Sequence, residues 1–70
     1  MDLKTIGEEV KNARRQLGLT QVQLADLAGV SYRPVVQIES GRPIRLDTLL
    51  SLCGALGLDL QLTAGGKVGL

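Results

Sequence analysis

Side chains suited to recognising another molecule are concentrated in residues 32–37. The Arg33 guanidinium can donate two hydrogen bonds to O6 and N7 of guanine, and the Gln37 amide can pair with N6 and N7 of adenine. Val36 can contact a thymine methyl group, and Tyr32 offers a hydroxyl to a phosphate or a base. We predict that these four residues read DNA bases. Taken singly, each is also compatible with a solvated side chain on an exposed helix face.

Catalytic and metal-binding chemistry has few candidate residues. The chain has no His and a single Cys, Cys53, which excludes the usual zinc spacings and an intramolecular disulfide. Cys53 falls on the apolar stripe of a predicted helix, which favours a buried core thiol over a nucleophile. The carboxylates are scattered over predicted helix surfaces rather than paired in a cleft. We therefore predict a protein that is not an enzyme and needs no cofactor or metal.

Two short helical patterns joined by a tight turn must position the reading residues. The first pattern begins after Thr20, a residue type suited to N-capping. Its apolar residues recur at helical spacing: Leu24, Ala25 and Ala28. Gly29 supplies the backbone freedom that a sharp reversal needs, and Val30 is an apolar residue within the turn.

The second pattern begins after Ser31, its predicted N-cap, and Gly41 ends it. Val35 and Ile38, three residues apart, face inward, so the four predicted reading residues face outward or sideways. Two helices of about eight residues joined by a Gly-containing turn form a helix-turn-helix, whose second helix enters the DNA major groove.

Charge and flanking polar residues agree with a DNA-binding prediction. The net charge is only +1, but residues 14–45 hold five Arg against two acidic residues, a local charge of +3. Gln21 begins the first helix of the motif, where free N–H groups favour a phosphate. Ser40 and Arg42 follow the second helix and are candidates for phosphate contacts rather than base reading.

Two longer helices flank the motif. Residues 3–17 are predicted to form a helix capped by Asp2, with this apolar stripe: Ile6, Val10, Ala13 and Leu17. Residues 46–56 are predicted to form another helix, with this stripe: Leu46, Leu49, Leu52, Cys53 and Leu56. Leu50 lies off the second stripe, so it is expected to be exposed or to lie in an interface.

The last segment changes its period from that of a helix to that of a strand. Three leucines alternate with polar residues over residues 58–63: Leu58, Leu60 and Leu62. A lone strand leaves its hydrogen-bonding edges unpaired, so the simplest arrangement is pairing with the same strand of a second copy. The alternative is an unstructured or helical tail. We divide the chain into a DNA-binding domain (1–57), a dimerisation strand (58–63) and a flexible tail (64–70).

Three stretches resemble the lambda-repressor-like (Cro/repressor, XRE) helix-turn-helix family: TQVQLADLAGVS, VVQIESG and LDTLLSLCGALGL. The resemblance covers about residues 4–58 and implies an all-α, four-helix bundle that binds double-stranded operator DNA as a homodimer. It also implies roles for individual residues. Tyr32, Arg33 and Gln37 would read bases, and Gln21 and Ser40 would contact phosphates.

The same resemblance pairs Arg14 with Glu39 as a partly buried structural ion pair between the first helix and the reading helix. The chain departs from the family pattern at two positions. Pro34 stands where a small polar residue is common, so a contact made by such a residue is lost. Arg45 stands where a polar helix cap is usual, and we expect it to face a phosphate instead.

The predicted C-terminal strand narrows the resemblance to HipB-type antitoxins, which dimerise, repress their own operon and bind a HipA-type kinase toxin. The leading prediction is therefore a repressor that is the autoregulating antitoxin of a type II toxin–antitoxin pair. The alternatives are a stand-alone XRE-type regulator and a protein-interaction module without DNA binding. No run of about 18 apolar residues and no signal peptide is present, which predicts a bacterial cytoplasmic, nucleoid-associated protein without a membrane partner.

Overall fold

The computed structural model of the chain describes residues 2–62, which form four α-helices and no strand. The helices are α1 (Leu3–Gln16), α2 (Gln21–Ala28), α3 (Tyr32–Glu39) and α4 (Leu46–Leu56). The all-α class and the four predicted helices are confirmed. None of these four helices is long and apolar enough to cross a membrane.

Side chains cap the first two helices. The Asp2 carboxylate accepts a hydrogen bond from the Thr5 backbone N–H at 2.7 Å, and this bond holds the pKa of Asp2 below its usual value. At the start of α2, Thr20 and Gln23 form a reciprocal capping box, with bonds of 3.0 and 2.9 Å. Ser31 takes the N-cap position of α3 as predicted, but its side chain makes no capping bond. Local sequence therefore explains where α1 and α2 begin.

The turn between α2 and α3 depends on Gly29. Its φ of 70° is in the left-handed region, where a side chain bearing a Cβ is strained. The Val30 N–H donates to the Ala25 carbonyl oxygen at 3.0 Å and closes the end of α2. Val30 is partly buried against the core. This short turn holds the two helices of the motif against each other.

The core lies where the four helices meet. α1 packs against α3 and α4, and α2 packs against the same two helices. All four helices contribute fully buried aliphatic side chains: Val10, Leu24, Val35, Ile38 and Leu52. The inward positions predicted for α2 and α3 are therefore correct. With so few residues, the core is small, and each close contact between helices matters.

Two residues of the predicted apolar stripes lie outside the core. Leu17 is 55% exposed and Leu46 is 62% exposed, so the assignment of these two residues to the buried stripes is wrong. Leu17 is the C-cap of α1 and Leu46 is the first residue of α4, so each lies at the end of its helix. Gly7 and Arg14 instead belong to the buried face of α1. Hydrophobic periodicity finds neither, because one has no side chain and the other is charged.

Residues 58–62 lie against the bundle without forming a strand in the single chain. Leu58 and Leu60 are partly buried and border a groove together with Ile6 and Cys53. Leu62 is 85% exposed. The predicted strand requires a second copy to pair with, so it stays a prediction, as does the division of the chain into three segments. The end of the predicted strand and the predicted tail, residues 63–70, lie outside the described residues.

Gly7 allows α1 to approach the end of α3 closely. A Cβ built at this position would overlap the carbonyl oxygen of Ile38 and would lie 3.0 Å from the carbonyl carbon. Because these atoms belong to backbone inside a helix, they cannot rotate away as a flexible side chain can. The absence of a side chain at Gly7 is therefore a condition for the packing of α1 against α3.

We expect Gly7→Ala to lower the free energy of unfolding by about 1–3 kcal/mol, because the added methyl overpacks a backbone contact. Gly54→Ala is the matched control. Gly54 is exposed within α4 and a Cβ there meets nothing within 4 Å, so this variant should gain about 0.5–1 kcal/mol. Urea unfolding followed by circular dichroism measures both changes. A Gly7→Ala protein as stable as wild type would contradict the close approach.

Candidate nucleic-acid interface

α3 carries the predicted reading residues on the part of its surface that the core leaves open. Tyr32 and Arg33, in the first turn, are exposed, whereas Val36 and Gln37, one turn later, are half-buried. Pro34 fits the first turn because its missing N–H is one that a helix start leaves unbonded anyway. The structure therefore brings the four residues together on one helix, with Tyr32 and Arg33 more exposed than Val36 and Gln37. Their contacts with bases remain predictions.

A buried ion pair joins α1 to the last residue of α3. Arg14 Nε donates to Glu39 Oε2 at 2.7 Å, and Nη2 donates to Oε1 at 2.9 Å. The two side chains are only 11% and 3% exposed. Hydrogen bonding to Glu39 raises the pKa of Arg14, although burial alone lowers it. This is the contact that the family resemblance implied, and its geometry is the paired fork that guanidinium and carboxylate groups favour.

Arg14 also reaches the chain just before α2. Its Nη1 donates to the carbonyl oxygen of Leu19 at 2.7 Å, while the Leu19 N–H donates to the Arg14 carbonyl oxygen at 3.1 Å. One guanidinium therefore contacts α3 and the segment that leads into α2. Both helices of the motif are held relative to α1 through this one side chain.

A chain of hydrogen bonds runs from Glu39 to the protein surface. Gln21 Nε2 donates to Glu39 Oε1 at 3.2 Å, and the Tyr32 hydroxyl donates to Gln21 Oε1 at 3.4 Å. Both ends of the Gln21 amide thus have partners within the protein, and its contact with a phosphate stays a prediction. One amide hydrogen of Gln21 is not used by these bonds and remains for an outside acceptor.

An open cleft beside the start of α2 brings basic residues next to the predicted phosphate contacts. Lys11 and Arg15 of α1 line it together with Gln21 and Ser40. Sequence reasoning did not single out Lys11 or Arg15 for this role. Their four-residue spacing places them on one face of a helix, but only the packing of α1 beside α3 shows what that face borders. The Ser40 hydroxyl donates to the Val36 carbonyl oxygen at 2.9 Å, which uses its only proton.

The two arginines after α3 differ in their surroundings. Arg42 is exposed and makes no ion pair with any residue between 2 and 62. Arg45 forms a fork with Asp47, with bonds of 3.0 and 3.2 Å between side chains that are 83% and 68% exposed. Asp47 also accepts the Thr48 N–H at 2.8 Å, in place of a side-chain cap from Arg45. Because Asp47 offsets the charge of Arg45, Arg42 is the stronger candidate for a phosphate contact.

The site offers hydrogen bonding and charge rather than covalent chemistry. Cys53 is buried in α4 as predicted, and burial raises the pKa of its thiol. A protonated, buried thiol is a poor nucleophile. Within residues 2–62, no cluster of three or more potential metal ligands is found. We call the exposed surface of α3 that carries Tyr32 and Arg33 the reading face. The reading face and the basic cleft therefore offer groups that can recognise a ligand.

Comparison with known proteins supports the interpretation of α2 and α3 as a helix-turn-helix. A family model described as Helix-turn-helix (HTH_3) matches residues 10–62, which include the second half of α1 and all of α2, α3 and α4. An "Immunity repressor protein" of Bacillus phage phi105 is 39% identical over 62 residues, which cover 87% of this chain and 43% of the phage protein. The chain thus spans less than half the length of that relative.

Two further relatives are named as uncharacterized HTH-type transcriptional regulators. One, from Sinorhizobium fredii, is 33% identical over 63 residues, which cover 89% of this chain and 83% of the relative. The other, from Haemophilus influenzae, is 39% identical over 56 residues, which cover 79% of this chain and 57% of the relative. All three relatives therefore match this chain over most of its length.

We expect Glu39→Ala to lower the free energy of unfolding by about 3–5 kcal/mol, because it leaves the Arg14 guanidinium buried without its carboxylate. Asp47→Ala, which breaks the exposed pair with Arg45, should change it by no more than about 1 kcal/mol. Thermal and urea unfolding measure both. The double variant Arg14→Met/Glu39→Met should recover much of the loss, since it removes both charges. A Glu39→Ala protein with unchanged stability would show that the carboxylate is not needed by Arg14.

Proposed function

The chain belongs to the HTH_3 helix-turn-helix family, the XRE or lambda-repressor-like family, and on this basis we propose that it is a sequence-specific DNA-binding transcriptional repressor. The observation that carries the proposal is the helix-turn-helix formed by α2 and α3. The buried pair between Arg14 of α1 and Glu39 orients α3, and Tyr32 and Arg33 are left exposed to solvent. The family and the names of the relatives indicate a regulator that is not an enzyme. The named phage relative is itself a repressor.

Recognition begins with α3 in the major groove, where the N-terminal residues of a recognition helix contact base edges. Arg33 donates to guanine through two N–H groups, and Gln37 pairs with adenine. Val36 contacts a thymine methyl group, and Tyr32 adds its hydroxyl. Because Val36 and Gln37 are half-buried and lie one turn further along, they read bases only if the helix N-terminus enters the groove deeply.

Phosphate contacts set the register of α3 on the duplex. Arg42 supplies an exposed charge after α3, and Arg45 supplies another once it releases or shares Asp47. The remaining amide hydrogen of Gln21 and a rotated Ser40 hydroxyl complete the predicted set. Lys11 and Arg15 extend it along the basic cleft. Such contacts displace counterions, so affinity must fall as salt concentration rises.

We also propose that two copies bind together through residues 58–63. In the single chain Leu58 and Leu60 are only partly buried and Leu62 is exposed. In a paired strand, their spacing of two residues would place all three on one face. Pairing of this segment with its twofold mate satisfies the backbone groups on the facing edges of both strands and helps to cover the three leucines. A twofold dimer presents two α3 helices to two half-sites and doubles the basic surface.

The antitoxin role is the narrower form of this proposal. Its support is the resemblance of the C-terminal pattern to HipB-type antitoxins, and it adds a HipA-type kinase toxin as a protein partner. A stand-alone regulator uses the same reading face and the same dimer without a toxin. Purification of the chain with the product of an adjacent kinase-like gene separates the two: a stable complex supports the antitoxin, and its absence favours the stand-alone regulator.

DNA recognition predicts different effects for two arginines. We expect Arg33→Ala to cost about 1–3 kcal/mol of binding free energy and to relax the preference at one base position. Arg42→Ala should weaken all sequences about equally and reduce the slope of log affinity against log salt by about 0.9 for each copy bound to the duplex. Fluorescence anisotropy on a duplex selected by the wild-type protein from random DNA, compared with a scrambled duplex over a salt series, measures both effects.

Arg33→Lys is the matched control for charge. It keeps the positive charge but loses the guanidinium fork, so it should relax sequence preference while retaining the salt slope. Unchanged preference in both Arg33 variants would remove Arg33 from the reading set. Failure of the wild-type protein to bind any duplex at low salt would instead favour a protein-interaction module.

The proposed dimer is tested best at Leu62, because this side chain is exposed in the single chain and its replacement leaves the core intact. We expect Leu62→Lys to weaken dimerisation, since it places a charge on the apolar face of the paired strands. Gln61→Lys, which strand spacing places on the opposite face of the proposed paired segment, should leave the dimer intact. Analytical ultracentrifugation measures the dissociation constants. Equal dimerisation by the two variants would argue against pairing through this segment.

A further inference from the structure

We infer that the Tyr32 hydroxyl acts as a hydrogen-bond acceptor in DNA recognition and therefore selects a base that carries an amino group in the major groove, adenine or cytosine. The inference rests on the proposed function, since it requires α3 to enter the groove. It also narrows the sequence-based expectation, which left the hydroxyl free to contact a phosphate or a base.

Both oxygens of the Glu39 carboxylate are engaged by Arg14. Its two carboxylate oxygens accept hydrogen bonds from Arg14 at 2.7 and 2.9 Å, and its side chain is only 3% exposed. Arginine remains protonated in proteins, and the bonds to Glu39 raise the pKa of Arg14 further. Because the guanidinium nitrogens of Arg14 only donate, both Glu39 oxygens act as acceptors.

Glu39 decides the orientation of the Gln21 amide. An amide has one donating end and one accepting end, which resemble each other in shape. Because Glu39 only accepts, the end of Gln21 that lies 3.2 Å from Oε1 of Glu39 must be the NH₂ group. The carbonyl oxygen of Gln21 must then point to the other side. The ion pair therefore decides which way the amide faces.

The Gln21 carbonyl oxygen in turn decides where the hydroxyl proton of Tyr32 points. The Tyr32 oxygen lies 3.4 Å from the Gln21 carbonyl oxygen, which has no proton to give, so the hydroxyl must be the donor. This separation exceeds the usual hydroxyl bond length of about 2.7–2.8 Å, so the bond is weak, and its main effect is on the direction of the proton. A phenol has one proton. With that proton facing Gln21, the hydroxyl presents lone pairs to an incoming ligand.

An accepting hydroxyl distinguishes among the groups that DNA offers. Phosphate oxygens, O6 and N7 of guanine and O4 of thymine are all acceptors, whereas N6 of adenine and N4 of cytosine are donors. Tyr32 is the first residue of α3 and is 49% exposed, at the helix end that contacts base edges. If the hydroxyl turned to donate to guanine or thymine, it would give up its bond to the Gln21 carbonyl oxygen, whereas adenine or cytosine allows both bonds to form. Adenine and cytosine are therefore preferred.

The test compares three full-length proteins in selections from random double-stranded DNA followed by sequencing. For wild type, we expect one position in each half-site to favour adenine or cytosine by about threefold to tenfold, the effect of one hydrogen bond. Tyr32→Phe removes only the hydroxyl and should abolish the preference at that position while leaving the other positions unchanged. Circular dichroism melting of each variant confirms that it is folded.

Gln21→Met tests whether the base preference depends on the direction of the Tyr32 hydroxyl proton and not only on the presence of the hydroxyl. Methionine has a similar length but offers the hydroxyl no carbonyl group, so Tyr32 becomes free to donate or accept. We expect the preference at the same position to broaden to all four bases. The lost amide hydrogen of Gln21 should lower the affinity for all sequences equally, which leaves preferences at other positions intact.

The outcomes distinguish this inference from the proposed function. Sequence-selective binding in which the Tyr32-dependent position favours guanine or thymine would overturn the inference and leave the repressor proposal in place. The same holds if Tyr32→Phe changes no position, or if Gln21→Met retains the adenine or cytosine preference. Wild-type protein that selects no sequence at all would overturn the proposed function, and the inference with it.

Discussion

The bidentate ion pair between Arg14 and Glu39 is the interaction on which the orientation of the reading helix depends. Both side chains are almost fully buried, so neither retains the hydration that it has in the unfolded chain. Burial of such a pair costs about as much as the attraction returns, which makes it weak evidence for overall stability. Its geometry, however, has few alternatives. A guanidinium that must satisfy Glu39 and the Leu19 carbonyl oxygen together leaves α3 little freedom to shift relative to α1.

The same carboxylate connects the interior to the surface. Glu39 accepts from Gln21 as well as from Arg14, and Gln21 accepts from Tyr32. The buried ion pair is therefore connected, through Gln21, to a hydroxyl at the proposed DNA interface. The polar groups in this series have partners, and no buried side-chain nitrogen or oxygen in the described part of the chain lacks one. A satisfied network of this kind restricts the arrangement of its side chains, which suits the proposed reading of bases.

The close packing of the helices and the small size of the core also constrain the structure. Without Phe or Trp, the interior consists of short aliphatic side chains, so helices must approach closely to exclude water. Gly7 permits this between α1 and α3, next to the ion pair in the same two helices. The core also leaves the leucines of residues 58–62 incompletely covered. That incomplete burial is the physical reason to propose a second copy as the partner of this segment.

The sequence by itself determined the elements that depend on local interactions. The caps at Asp2 and Thr20, the left-handed turn at Gly29 and the inward pair Val35 and Ile38 all follow from residue type and spacing, and so does the helix-turn-helix. Only the tertiary structure decided which ends of the long helices leave the core, that Lys11 and Arg15 border the predicted phosphate contacts, and that Gln21 faces Glu39. Each of these depends on residues far apart in the chain. Periodicity describes one helix at a time, whereas burial, close approach and the direction of a hydrogen bond depend on the packing between helices.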